Sequence, residues 1–308
     1  MAHVFVTRQI PGDALERLAA EHDVEVWPDD MPPPRADLLA GVAEAEGLLS
    51  MLVDKVDPEL LDAAPDLRAV ANYAIGFDNI DLEAAAKRGV QVGNTPDVLT
   101  DATADLAWAL MLAVARRIVE GSQDARDGKW RTWEPQGWIG ADVHGATLAV
   151  VGAGRIGQAV AKRASGFDME VVMVDLGDDL HSALERADFV SIHTPLTPET
   201  HHLIDAGALA RMKPTAILVN TARGPIVDQD ALADALREGR LAGAGLDVTD
   251  PEPLPPDHAL YETPNLLVVP HIGSATTTAR AAMADRAVDN LLAALDGKPM
   301  PYAVQPPA

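Results

Sequence analysis

The sequence predicts an α/β protein built from two parallel-sheet units. Short apolar runs alternate with helix-compatible stretches in two separate series, and one run ends in a glycine-rich turn that opens a helix. Strand–helix alternation requires crossover connections, so each sheet is expected to be parallel and covered on both faces. The 308 residues suffice for two domains of ordinary size.

In the first series, strands are expected at 4–7, 24–27, 47–51, 67–71 and 90–92, with a helix over 12–20 and a loop at 31–34. A strong helix follows at 101–117, which Asp101 can cap. Leu106, Leu110, Ala113 and Val114 line one of its faces, while Trp108, Met111, Leu112 and Ala115 make the others apolar too. A helix apolar all round is buried on several sides, at a domain junction or a subunit interface. Residues 129–138 carry Trp130, Trp133 and Trp138 among polar, Gly and Pro residues and read as an irregular arm. The second series places strands near 147–151, 170–174, 189–192, 216–220, 243–247 and 266–270. A last helix spans about 275–296, before an extended Pro-rich tail over 297–308.

The most informative segment is 147–157, where an apolar strand runs into Gly152, Gly154 and Gly157 and a helix begins. The first glycine permits the tight turn, the second lets a pyrophosphate approach the backbone, and the third lets helix pack on strand. The free N–H groups and dipole of the helix N-terminus favour the diphosphate. Asp175 ends the next apolar run, where an acid can bind ribose hydroxyls. The pattern predicts a dinucleotide site.

Ligands in open parallel sheets bind beyond the carboxyl ends of the strands. Arg223, Glu252 and His271 each follow a predicted strand end in the second series. Arg is the best fork for a carboxylate. A His paired with Glu has its cation stabilised and can act as a general acid.

Composition narrows the classes. There is no cysteine, which excludes disulfides, thiolate zinc sites and a cysteine nucleophile. Net charge is −23, with 47 acids against 24 bases, a surface that repels nucleic acid and anionic membranes and fits adaptation to high salt. The longest strictly apolar run, 106–115, is half the ~20 residues of a membrane span. No basic segment followed by an apolar run opens the chain, so a cytoplasmic location is expected. His193 reads as structural, and the pair His201 and His202 lacks nearby carboxylates for a metal site.

Five ordered segments carry a resemblance: 94–107, 154–157, 220–224, 247–253 and 270–276. With them, the chain resembles the D-isomer-specific 2-hydroxyacid dehydrogenases, and through 72–81 and 94–107 it is most similar to the glyoxylate/hydroxypyruvate reductases. The resemblance implies two Rossmann-like/flavodoxin-like parallel-sheet domains, the cofactor domain (101–277) inserted into a split substrate domain (1–100 plus 278–308). It implies a small 2-oxo acid substrate and a catalytic set of Arg223, orienting and polarising the oxo acid, His271 as proton donor and Glu252 as its partner. Backbone N–H groups around Ala74, Ile75 and Gly76 would take the substrate carboxylate, with Leu52 nearby and Trp138 reaching a partner subunit's site. Beyond Gly152, Gly154, Arg155, Ile156, Gly157 and Asp175, the implied cofactor contacts are Thr103, Thr194, Pro195, Thr221, Ala222, Asp247 and Gly273. Helix 101–117 would form a homodimer.

The segment between Asp175 and Phe189 is about a dozen residues shorter than in relatives, which predicts a trimmed sheet edge and an open adenosine side. No Arg or Lys follows Asp175 at 176–180, so NAD(H) is favoured over NADP(H). The alternatives are a phosphoglycerate dehydrogenase-like enzyme without its regulatory extension and a non-enzymatic nicotinamide sensor of the same fold. Glu252 argues against a formate-dehydrogenase-like role, where relatives carry Gln.

Overall fold

A computed structural model describes residues 1–305. The chain divides into two compact units, one made of Met1–Leu99 and the segment from Ala275 on, the other of Thr100–Ser274. These boundaries fall one and three residues before the expected ones, because Ala275 and the helix cap Thr276 go with the helix they precede. Among the described residues no helix is long and apolar enough to cross a membrane.

The first unit runs β1 (His3–Val6), α1 (Ala14–Glu21), β2 (Asp23–Val26), α2 (Arg35–Val42), β3 (Gly47–Ser50), α3 (Pro58–Ala63), β4 (Ala69–Asn72), α4 (Leu82–Lys87) and β5 (Gln91–Gly93). Its sheet is parallel, in the order β2-β1-β3-β4-β5, the flavodoxin-like order. The central strands β3 and β4 are wholly buried, whereas edge strand β2 alternates exposed and half-buried residues. Asp57 and Asp81 cap α3 and α4 through Leu60 and Ala84 N–H. The tail continues this sheet: Ala303 bridges Gly93 antiparallel, and Val304 N donates to Val92 O. Residues 306–308 of the expected tail lie outside the described residues.

The second unit opens on α5 (Thr100–Ala115) and α6 (Ile118–Arg126), continues with β6 (Thr147–Val151), α7 (Arg155–Ala164), β7 (Glu170–Val174), α8 (Leu180–Arg186) and β8 (Phe189–Ile192), and ends with α9 (Ala206–Leu209), β9 (Ile217–Asn220), α10 (Gln229–Arg237), β10 (Gly243–Leu246) and β11 (Leu266–Val268). The last helix, α11 (Thr277–Leu295), returns to the first unit. The six strands are parallel in the order β11-β10-β9-β8-β6-β7, so the sheet stops at β7 with one short helix after it, the trimmed edge expected from the short segment.

Period-two alternation on β6 fills both layers of this unit. Leu148 and Val150 join Trp108, Met111, Val160 and Phe189 under α5 and α7. Ala149 and Val151 join Leu184, Leu209, Leu218 and Leu232 under α8 to α10. Trp108 stacks on Phe167, centroids 4.8 Å apart, and its Nε1 donates to Val160 O.

Helix 101–117 differs from expectation at both ends. It starts at Thr100, which puts Asp101 inside the first turn, where it pairs with Arg163 at 2.9 Å rather than capping. It stops at Ala115, because the returning arm donates Ala141 N–H to Ala115 O and leaves no room at Gly140 for a Cβ. Arg117 then adopts φ 51° and α6 begins, a helix the sequence pattern does not separate. Residues 129–138 contain no helix or strand.

Candidate active site

All six strands of the second unit are parallel, so their carboxyl ends form one rim. Across it stand, in sheet order, the segment from His271 after β11, Asp247 after β10, Thr221 to Arg223 after β9, His193 and Thr194 after β8, Gly152 after β6 and Asp175 after β7. The chain crosses from β7 back to β8 on the other side of β6, which makes the β6–β8 crevice the topological switch point.

Each glycine of the fingerprint has its own physical reason. Gly152 has φ 103°, and a Cβ there would lie 2.6 Å from His193 C and Thr194 N. A Cβ at Gly157 would lie 2.0 Å from Gly152 O, so α7 could not approach β6. Gly154 is different: its φ of −66° suits any residue, and a Cβ would meet nothing within 4 Å. Inside the chain nothing requires glycine there, so the requirement comes from a group that approaches from outside. Gly154 is also the N-cap of α7, with no side chain capping it and no acid in the first turn, leaving helix N–H groups for an anion. These residues fit a dinucleotide diphosphate. Arg155 is exposed and Ile156 half-buried beside them.

Asp175 is exposed at the end of β7. Its Oδ1 accepts Leu176 N, and its own N–H donates to Asp178 Oδ2 at 2.8 Å. This turn carries three acids, Asp175, Asp178 and Asp179, and no cation.

The catalytic candidates are held by strand-end polar groups. Glu252 Oε1 hydrogen-bonds His271 Nδ1, and Glu252 lies between cis Asp250–Pro251 and Glu252–Pro253 bonds. His271 sits at φ 51°, its N–H donating to Asp247 O at 2.9 Å. The Asp247 carboxylate accepts Ile272 N at 2.6 Å and Gly273 N at 2.8 Å. Burial raises its pKa, opposed by the Ile272 N–H and by the charge of His271. Thr103 Oγ1 donates to Gly273 O, so Thr103, Asp247 and Gly273 form one contact group.

Arg223 closes a turn clamped by Asn220, whose Oδ1 accepts Ala222 N at 3.0 Å and whose Nδ2 donates to Arg223 O at 2.8 Å. Arg223 Nη1 donates to Ala222 O. Gly224 follows because a Cβ would lie 2.1 Å from Thr249 O. The sequence analysis includes Asn220 in the 220–224 segment but gives it no part in holding this turn; the signal available was a polar residue ending an apolar strand, as Asn220 ends Ile217–Asn220.

His193 bridges β8 and β9. Its Nε2 lies 2.7 Å from Ser191 Oγ and its Nδ1 3.5 Å from Thr221 Oγ1. Burial pushes its pKa down to about 4, so it stays neutral near pH 7. Thr200 Oγ1 donates to Pro195 O, fixing the turn after Thr194. Trp138, at φ 54°, lies under the Arg117 guanidinium at 4.7 Å and is 43% exposed. His201 and His202 stack on each other at 4.1 Å.

The remaining candidates lie in the first unit. Leu52 is half-buried in the loop after β3, and Ala74, Ile75 and Gly76 form the loop after β4. The Ala74 N–H already donates to Asn72 O. Among the described residues the N–H groups of Ile75 and Gly76 have no intramolecular acceptor.

Comparison with known proteins agrees with this geometry. The model of the D-isomer specific 2-hydroxyacid dehydrogenase NAD binding domain matches residues 108–273. The chain is 47% identical to the glyoxylate reductase of Korarchaeum cryptofilum, over 98% of this chain and 95% of that one. It superposes on the crystal structure of the TT0316 protein from Thermus thermophilus with a TM-score of 0.94 and 52% identity, covering 98% of this chain and 99% of that one. An NADPH-dependent glyoxylate/hydroxypyruvate reductase from Sinorhizobium meliloti, solved with NADP and malonate, gives a TM-score of 0.87 at 32% identity, over 100% and 99% of the two chains.

Gly154→Ala is expected to lower stability by no more than about 1 kcal/mol, the change of an N-cap from Gly to Ala, while weakening dinucleotide binding at least ~10-fold, about 1.4 kcal/mol; a fluorescence titration with NADH reads it. For His193, the unfolded side chain titrates near 6.5 and the folded one at about 4, so the unfolded chain binds more protons in between. Stability from this group is complete above pH 6.5 and falls as pH drops towards 4, by about 3 kcal/mol. Melting temperature against pH should therefore fall less steeply across that window in His193→Gln than in the native protein.

Proposed function

The chain belongs to the D-isomer-specific 2-hydroxyacid dehydrogenase family, and from that premise we propose that it reduces glyoxylate or hydroxypyruvate to the D-2-hydroxy acid with NADH. The observation that carries this reading is the His271–Glu252 pair standing on one strand-end rim with Arg223 and the glycine cradle. The second unit is the dinucleotide-binding domain and the first the substrate domain.

A bound reduced nicotinamide supplies a hydride to the C2 carbonyl carbon. Arg223 orients the oxo acid and stabilises the charge that develops on the C2 oxygen. Glu252 occupies Nδ1 of His271, so the proton for that oxygen leaves from Nε2. Glu252 also fixes the orientation of the ring. The substrate carboxylate is received by the N–H groups of Ile75 and Gly76, beside Leu52. Thr103, Thr194, Pro195, Thr221, Ala222, Asp247 and Gly273 would hold the dinucleotide along the rim that runs from the catalytic residues to Asp175.

Cofactor choice rests on the turn after β7. The Asp175 carboxylate can accept both ribose hydroxyls, and with Asp178 and Asp179 it repels a 2′-phosphate. The Sinorhizobium meliloti relative uses NADPH, so this turn is where the two proteins should part. Steady-state turnover of glyoxylate and hydroxypyruvate with each cofactor tests the reading. NADH is expected to give a kcat/KM at least ~10-fold above NADPH, and His271→Ala to lower kcat about 100-fold or more. Absence of turnover with either acid would overturn the reductase, and a tenfold preference for NADPH would overturn the Asp175 argument.

The assembly we propose is a homodimer in which α5 and the 129–138 arm meet a second copy. Ile118 and Val119 in α6, Trp130 and Trp133 in the arm and Ile139 just after it are exposed apolar side chains that a second copy would cover. Light scattering should return about twice the chain mass of 32.5 kDa; a monomeric mass would refute it.

A further inference from the structure

We propose that Gln229 is a positioning residue that holds the loop after β10 where the Glu252 carboxylate meets His271. The inference rests on the 2-oxo acid reading above and adds to it the device that anchors the partner of the proton donor.

The loop after β10 is short of main-chain anchors. Residues 250–253 are all exposed, and Pro251 and Pro253 have no N–H to donate. Asp250 gives both of its main-chain groups to one side chain. Its N–H donates to Gln229 Oε1 at 3.1 Å, and its O accepts Gln229 Nε2 at 2.9 Å. A carboxamide carries an acceptor and a donor side by side, so it can pair with the C=O and N–H of one residue at once. The next carbonyl, Pro251 O, accepts Thr249 Oγ1 at 2.8 Å. Among the described residues no other hydrogen bond reaches the main chain of 250–254. The chain returns to the core only at Leu254, which is buried. Glu252 therefore hangs between one amide clamp and one apolar anchor. Its side chain is 37% exposed, so packing does not set its direction towards His271 Nδ1.

Gln229 is held by the segment that carries Arg223. It is the first residue of α10, and the cap before it, Asp228, accepts Ala231 N at 3.0 Å and donates its own N–H to Ile204 O at 3.0 Å. Upstream, Val227 N donates to Gly224 O at 3.1 Å, closing the short turn that leads from Arg223 to the helix. Gly224 in turn lies so close to Thr249 that a Cβ has no room. The turns after β9 and β10 are thus tied at two points, Gly224 against Thr249 and Gln229 on Asp250. The second tie is the one next to Glu252, and it fixes the spacing between Arg223 and Glu252 from inside a single sheet rim.

The test is a double-mutant cycle in steady-state glyoxylate reduction by the intact protein with NADH. Gln229→Met keeps the length of the side chain and removes both hydrogen bonds. It is expected to lower kcat about tenfold, since small misplacements of a catalytic group are costly, while the Kd of NADH from a fluorescence titration stays within about twofold. In a Glu252→Ala background the same substitution should change kcat less than about twofold, because its effect passes through Glu252. A merely structural role would lower kcat by the same factor in both backgrounds. Gln229→Glu keeps the acceptor but sets a charge against Asp250 O in place of the donor, and should lose at least as much as Gln229→Met. Thr249→Val removes the bond to Pro251 O at nearly constant shape and carries the same cycle if the Gln229 variants do not fold. An equal loss in both backgrounds, or a loss under twofold in the native one, would overturn the positioning role alone. No native turnover of any 2-oxo acid would overturn the reading beneath it as well.

Discussion

A parallel sheet buried on both faces must end somewhere, and at its carboxyl edge the main-chain groups of the outgoing turns have no neighbouring strand to satisfy them. This chain meets that constraint with one small polar residue at or just past the end of an apolar strand. Ser50, Asn72, Asn220 and Asp247 occupy those places and are at most 2% exposed. Each binds main-chain or side-chain groups of the segment that follows or lies beside it. Asn72 holds Gly76 O, Asn220 holds Ala222 N and Arg223 O, and Asp247 holds Ile272 N and Gly273 N. The turns that carry the candidate site residues are therefore fixed by the same bonds that let the sheet end.

The electrostatic arrangement follows from the choice of groups. Two of the three clamps are neutral amides, so they fix Arg223 and the loop after β4 without placing a charge beside them. Asp247 is the exception. Burial disfavours its charged form, but two short N–H bonds and the nearby His271 oppose that effect. His193, half-buried between Ser191 and Thr221, stays neutral and bridges the ends of β8 and β9. The glycine cradle adds helix N–H groups, with Gly154 leaving the approach open.

Much of the second unit was legible from residues alone. Its strands at 147–151, 170–174 and 189–192 have the bounds the apolar runs predict; the two inner ones are buried and need a continuous apolar run and little else, while edge strand 170–174 is mostly half-buried. The break between α5 and α6 was not legible. Ala115, Arg116 and Arg117 are good or neutral helix formers, and the helix stops only because Ala141 takes the Ala115 carbonyl. The tail was read as extended, yet its pairing beside β5 depends on Tyr302 and Val304 meeting residues about 200 positions earlier. Asn290 stood out in no pattern, since an amide's role lies in what it faces.

The sequence by itself determined the α/β class, the two strand–helix series, the glycine turn and the residue types able to bind a carboxylate and move a proton. Those properties are local: periodicity, φ preference and side-chain chemistry are set within a few residues. Only the tertiary structure decided strand order, and with it that Arg223, Glu252 and His271 share one rim with Gly152. It also decided which N–H groups remain for a ligand, because a donor's availability depends on every acceptor that folding brings near it. Ala74 shows the difference: the resemblance assigns its N–H to the substrate carboxylate with those of Ile75 and Gly76, but it already donates to Asn72 O, while the other two have no acceptor among the described residues.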